Sequence, residues 1–185
     1  SKIVAITSGG KIGTIAEANK IPIINIQGEF QPRYALGLSF FSLLKIMQEL
    51  GIASEDNRAK KIIDLWQKRG EQFAEDDNKA FQIARQLVGF IPVIYSSEFH
   101  NILPEMNHNE IIGWESYKEK QFHTKVIYLI DKEFHPQNKK RFDTLKEMLA
   151  EQKIEILTIS SDEENKKVRI MDLIFLVDWI SFYTS

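Results

Sequence analysis

The chain predicts an α/β protein built on a doubly wound parallel sheet, and three observations carry that prediction. Short apolar, β-branched runs recur along it: KIVAIT (2–7), IPIINI (21–26), FIPVIY (90–95), KVIYLI (125–130) and IEILTI (154–159). None alternates strictly between apolar and polar residues, so each reads as a strand covered on both faces. Segments with helical spacing separate them, and strand–helix alternation is the mark of parallel sheets joined by crossovers. The first strand also ends in Ser8-Gly9-Gly10, a turn that leads into a helix.

In chain order, the strand at 2–7 is followed by helical spacing at Ile12, Ile15, Ala16 and Asn19, and then by the strand at 21–26. This is the strand, glycine turn, helix, strand unit of a doubly wound sheet. Thr7, Ser8, Gly9 and Gly10 can present hydroxyls and amides to a phosphate at the helix start; equally, two glycines simply let the chain turn. There is no GxGxxG and no Walker lysine motif. The loop QGEFQPRY (27–34) precedes a strongly apolar helix over 35–50. Pro32 suits a first-turn position, which puts Arg33 among the positive-end amides of that helix. A cation there does not assist the helix dipole, so it either serves an anion or oxyanion or is a solvated loop residue.

Amphipathic, charged helices over 57–74 and 77–87 read as a connector packed on the outside of a sheet. The strand at 90–95 ends in Ser96-Ser97-Glu98, and Glu98 at a strand's carboxyl end is well placed for a ligand site in an open α/β sheet. Next comes PEMNHNE (104–110), where His108 lies between Asn107 and Asn109 with Glu105 and Glu110 nearby. Imidazole exchanges a proton at little cost near neutral pH, and Asn107 can orient its ring or a substrate hydroxyl. Asn and His are also ordinary loop residues, and an Asn here can cap a helix starting near Glu110. After the strand at 125–130, a helix is expected over 138–152, followed by the strand at 154–159. Ser160-Ser161-Asp162 is expected to cap a last helix over 163–183, apolar nearly all round and suited to a core or a subunit interface. Asp172 and Asp178 inside it, with Lys166, Lys167 and Arg169 before it, argue against a membrane span.

Composition narrows the function classes. With 185 residues, 43% hydrophobic and 27% charged, the chain has an ordinary globular make-up. A net charge of −2 gives no basic field for nucleic acid or an anionic membrane. The absence of cysteine excludes disulfides, thiol catalysis and cysteine-ligated zinc. Its four histidines are too scattered to read as a metal site. The start, SKIVAI, lacks a signal-peptide layout, and a cytoplasmic protein is the expectation.

Four fragments in one order then agree: AITSGGKIGTIAEANKIPIINIQGEFQPRYALG (5–37), FIPVIYSSE (90–98), PEMNHNEIIGWE (104–115) and LIFLVDWISFY (173–183). Together they resemble the bacterial and archaeal bifunctional phosphoglucose/phosphomannose isomerases, built from two sugar isomerase (SIS) domains of flavodoxin-like topology. The resemblance implies the end of a first SIS domain at 1–53, a helical connector at 54–88 and a second SIS domain at 89–185. It implies interconversion of glucose 6-phosphate or mannose 6-phosphate with fructose 6-phosphate through a cis-enediol, without a cofactor or metal. His108 would assist ring opening in the neighbouring subunit of a homodimer, and Arg33 would stabilise the enediolate charge. Ser8, Glu98 and Asn107 would contact the substrate. The family's phosphate-binding Ser/Thr loop, base glutamate and C-terminal lysine have no counterpart in these 185 residues. The expectation is therefore a fragment, or a chain with further segments, whose isomerase activity belongs to the parent protein. The alternative is a non-catalytic SIS module that binds a sugar phosphate.

Overall fold

β1 (Ala5–Thr7) and β2 (Ile23–Asn25) pair in parallel, Ala5 with Ile23 through Thr7 with Asn25, and α1 (Gly10–Ala18) crosses between them. The computed structural model that shows this describes residues 3–28, 30, 35–96, 123–133 and 135–184. The chain divides into two compact units, Ser1–Lys60 and Lys61–Ser185.

In the first unit the glycines predicted to turn the chain do so. Gly9 and Gly10 have φ of 120° and 66°, a region that side chains disfavour and glycine enters freely. Buried Thr7 fastens the turn: its Oγ1 donates to the Gly9 carbonyl (2.8 Å) and accepts from the Gly9 amide (3.1 Å). Gly13 and Ala16 form the buried side of α1. α2 (Leu36–Glu49) matches the apolar helix expected at 35–50, yet none of its residues is fully buried.

The second unit holds a three-stranded parallel sheet in the order β3 (Ile91–Ser96), β4 (Thr124–Ile130), β5 (Glu155–Ser160). Tyr95 stands opposite Tyr128, and Ile127 opposite Leu157. Successive side chains on a strand point to opposite faces, and β4 shows the result: Val126, Ile127 and Tyr128 are 0%, 3% and 2% exposed. Val126 and Tyr128 join Tyr95 and the α5 (Pro136–Glu151) residues Phe142, Leu145 and Leu149 in one core. Ile127 and Ile159 face the other core. It contains Phe73 at the end of α3 (Asp56–Phe73), Ala80, Ile83, Ala84 and Leu87 of α4 (Lys79–Leu87), and Leu173, Leu176 and Ile180 of α6 (Lys166–Thr184). Each large apolar side chain so buried contributes about 1.5–3 kcal/mol. A sheet covered on both faces explains why its strands lack alternation.

Helix starts are set by side chains. Asn78 Oδ1 accepts from the Phe81 amide (3.0 Å) at the start of α4. His135 Nδ1 accepts from the Gln137 amide (3.2 Å), with Pro136 in the first turn of α5. The last helix starts later than residue 163, because Asn165 Oδ1 accepts from the Lys167 (3.1 Å) and Val168 (3.4 Å) amides. Ser161 Oγ accepts from the Glu163 amide (3.3 Å) ahead of the helix and donates to Asp172 Oδ2 at 2.6 Å.

Candidate functional site

In parallel α/β sheets, ligands gather where strands end at their carboxyl edge and the chain leaves for a helix. Each unit has such an edge, and the two are built differently.

At the β1–β2 edge the Ile26 amide donates to the Thr7 carbonyl (3.0 Å), which draws the chain after β2 along the chain after β1. Ser8 and Gly28 come side by side and both are exposed. A Cβ on Gly28 would lie 2.9 Å from Ser8 Cβ and 3.2 Å from Ser8 Oγ. Next to them, nothing stands within 4 Å of where a Cβ on Gly9 or Gly10 would point, and no side chain caps α1. The edge thus combines one serine hydroxyl, an uncapped helix start and open space. Such a geometry suits a polar or anionic group.

At the β4–β5 edge the polar groups are buried and engaged with one another. Asp131 follows β4 directly, and Arg169, 1% exposed, sits in the first turn of α6. Its Nε donates to Asp131 Oδ1 at 2.6 Å, its Nη2 lies 3.0 Å from Glu133 Oε2, and its Nη1 donates to the carbonyls of Glu163 and Glu164. Burial works against the guanidinium charge, but the hydrogen bonds and charges of Asp131 and Glu133 outweigh it and hold the pKa above its ordinary value. One turn along α6, Asp172 accepts from Ser161 Oγ and, at 3.2 Å, from Arg69 Nε of α3. Trp66 Nε1 adds a bond to the Met171 carbonyl (3.0 Å) and its ring stacks on Phe175 at 5.0 Å. These partners lash α3, α6 and the loops after β4 and β5 together.

Of the residues singled out in the sequence, Ser8 is found on the open β1–β2 edge. Arg33, Glu98, Asn107 and His108 lie outside the described residues. The Arg169–Asp131 pair is not legible in the sequence, where Arg169 and Asp172 in a largely apolar helix call for buried partners without saying which. Among the described residues, no group of three or more His, Asp or Glu side chains could hold a metal ion.

Comparison with known proteins shows what the chain is similar to. The family model for the bacterial phospho-glucose isomerase C-terminal SIS domain matches residues 97–185. The chain is an α/β protein that contains a SIS domain. A Caldicellulosiruptor bescii protein named bifunctional phosphoglucose/phosphomannose isomerase is 30% identical over 212 residues, covering 100% of this chain and 62% of that protein. An Aquifex aeolicus protein of the same name is 28% identical over 207 residues, covering 100% of the chain and 61% of its own length. A Sulfolobus acidocaldarius D-glucosamine-6-phosphate 4-epimerase is 27% identical over 146 residues, covering 68% of the chain and 46% of the epimerase. Over its whole length the chain is thus similar to proteins named bifunctional phosphoglucose/phosphomannose isomerase, and residues 97–185 match the SIS domain model. It spans 62% and 61% of the length of the two isomerase relatives. No solved structure gives a significant match.

Proposed function

We propose that the protein to which this chain belongs is an aldose–ketose isomerase. It interconverts glucose 6-phosphate, and mannose 6-phosphate, with fructose 6-phosphate through a cis-enediol intermediate. The observation that carries this reading is the match of the whole chain to two relatives named for that pair of activities. In this reading residues 1–53 close a first SIS domain, 54–88 connect, and 89–185 form the second. The protein is cytoplasmic and works as a homodimer.

His108 opens the sugar ring in the neighbouring subunit's site by moving a proton between the ring oxygen and the anomeric hydroxyl. Once the chain is open, a carboxylate base takes the proton from the carbon beside the carbonyl. Arg33 then holds the negative oxygen of the enediolate, where a fixed cation lowers the barrier most. Ser8, Glu98 and Asn107 hold the substrate. The open β1–β2 edge, with the Ser8 hydroxyl beside an uncapped helix start, supports a polar anionic ligand there.

A coupled assay on the full-length protein tests the proposal: fructose 6-phosphate should yield glucose 6-phosphate, and mannose 6-phosphate should also be turned over. His108→Ala should slow turnover of the closed-ring sugar far more than that of an open-chain analogue; equal losses would remove the ring-opening role. Arg33→Lys should lower kcat with little change in KM. Sugar-phosphate binding without turnover would instead identify a non-catalytic SIS module. The relative named as a 4-epimerase makes glucosamine 6-phosphate a further substrate to assay.

A further inference from the structure

Glycine at position 28 has one visible cause. Its φ lies outside the left-handed region, so φ does not call for glycine there. What forbids a side chain is Ser8: a Cβ on residue 28 would sit 2.9 Å from Ser8 Cβ, closer than real Cβ atoms come to such a neighbour. Ser8 Cβ is bonded to the backbone and cannot swing aside as a lysine tip would. An alanine at 28 must therefore displace the backbone at residue 8 or at residue 28. The pairing immediately before both residues is fixed by Thr7 opposite Asn25 and by the Ile26 amide on the Thr7 carbonyl, so the shift falls on the segments beyond. Those are Ser8-Gly9-Gly10, which opens α1, and the chain at Gln27 and Gly28. Close approach of one backbone to another is a recognised reason for glycine at a strand end.

We infer that Gly28 is a positioning residue for the sugar-phosphate site: the missing side chain lets residues 26–28, after β2, lie against Ser8 and fixes Ser8-Gly9-Gly10 at the open edge. This rests on the proposed function, and it adds a residue that touches no substrate and acts through its neighbour. Both residues are exposed, so the displacement disturbs little packing. Catalysis is less tolerant, since a misplacement of about 1 Å can cost on the order of 100-fold in rate.

The test is a cycle of Gly28→Ala, Ser8→Gly and the double variant in the full-length protein, read in two ways. Amide resonances of Ser8, Gly9 and Gly10 should move in Gly28→Ala and return in the double variant toward those of Ser8→Gly, where the new Cβ finds room. In the enzyme assay Gly28→Ala should lower kcat/KM for fructose 6-phosphate at least about tenfold, with an unchanged melting temperature. Added to Ser8→Gly, the same alanine should cost almost nothing more. Losses that simply multiply, resonances that stay in place, or wild-type kcat/KM in Gly28→Ala would each overturn the inference while leaving the isomerase reading intact. A wild type that turns over no sugar phosphate would remove that reading, and the positioning role with it.

Discussion

The two carboxyl edges of this protein solve one architectural problem in opposite ways. At β4–β5 the strand ends carry ionisable side chains, and each is consumed by another part of the chain: Arg169 by Asp131, Glu133 and two carbonyls, Asp172 by Ser161 and Arg69. At β1–β2 the strand ends carry glycines and a serine, and the nearest constraint is the approach of the Gly28 backbone to the Ser8 side chain. Charge that is buried and satisfied internally serves the fold, because removing either partner leaves an uncompensated ion. Small residues brought close together beside an uncapped helix leave room for a ligand. The difference separates a structural edge from a candidate site more surely than a count of polar residues would.

The comparison can be broken most forcefully at Arg169. Arg169→Met leaves Asp131 buried without its main cation, and a loss of about 3–5 kcal/mol in denaturant unfolding is expected. If the β4–β5 edge is structural, kcat/KM of the protein that remains folded should be unaffected. A raised KM at full stability would mean that this edge meets substrate. Asp131→Asn combined with Arg169→Met should cost less than the two single losses together, because the partners are coupled.

A smaller effect is expected at Asn78, which caps α4 through Oδ1 while Nδ2 donates to the Phe73 (2.7 Å) and Glu75 (2.8 Å) carbonyls. Asn78→Ala should cost about 1–2 kcal/mol, the upper range for a cap, again with unchanged kinetics.

The smallest belongs to the first unit, where Lys45 Nζ and Glu49 Oε1 lie 2.7 Å apart on the surface of α2. Their hydrogen bond and mutual charge lower the Glu49 pKa and raise that of Lys45. The pair's contribution is present at neutral pH; it is lost as pH falls through the depressed carboxylate value or rises through the elevated ammonium value. Both groups are fully solvated, so Glu49→Gln should leave the thermal midpoint at neutral pH within experimental error.

How much of this could be read from the chain depends on the range of the interaction. Continuous β-branched runs marked each of the five described strands, because burial on two faces leaves a local composition signal. The Ser8-Gly9-Gly10 turn was readable for the same reason: positive φ is a property of one residue. The start of α6 was misplaced because serine and aspartate at 160–162 have the composition of a cap, while the amides are taken by Asn165 and Ser161 turns to Asp172, eleven residues on. Arg169 and Asp172 were counted as charges near a helix start; their partners stand 38 and 103 positions away at Asp131 and Arg69, a distance no local pattern spans. Gly28 went unremarked because its reason is Ser8, twenty residues earlier. Arg33, Glu98, Asn107 and His108 rest on the resemblance of their motifs.

The buried charges of α6 also bear on how the chain is made. Nineteen residues of helix reach about 28 Å, close to the thickness of a bilayer core, and the stretch from Leu173 to Val177 is apolar throughout. A newly synthesised chain is sampled by insertion machinery before its tertiary partners exist. Arg169, Asp172 and Asp178 leave no charge-free run longer than five residues between positions 169 and 178. Each charge near the centre of an inserting helix costs about 2.5–3.5 kcal/mol, and no described helix is long and apolar enough to cross a membrane. The charges that lash the folded sheet edge thus carry a second consequence: while still unpaired, they raise the cost of placing this segment in lipid.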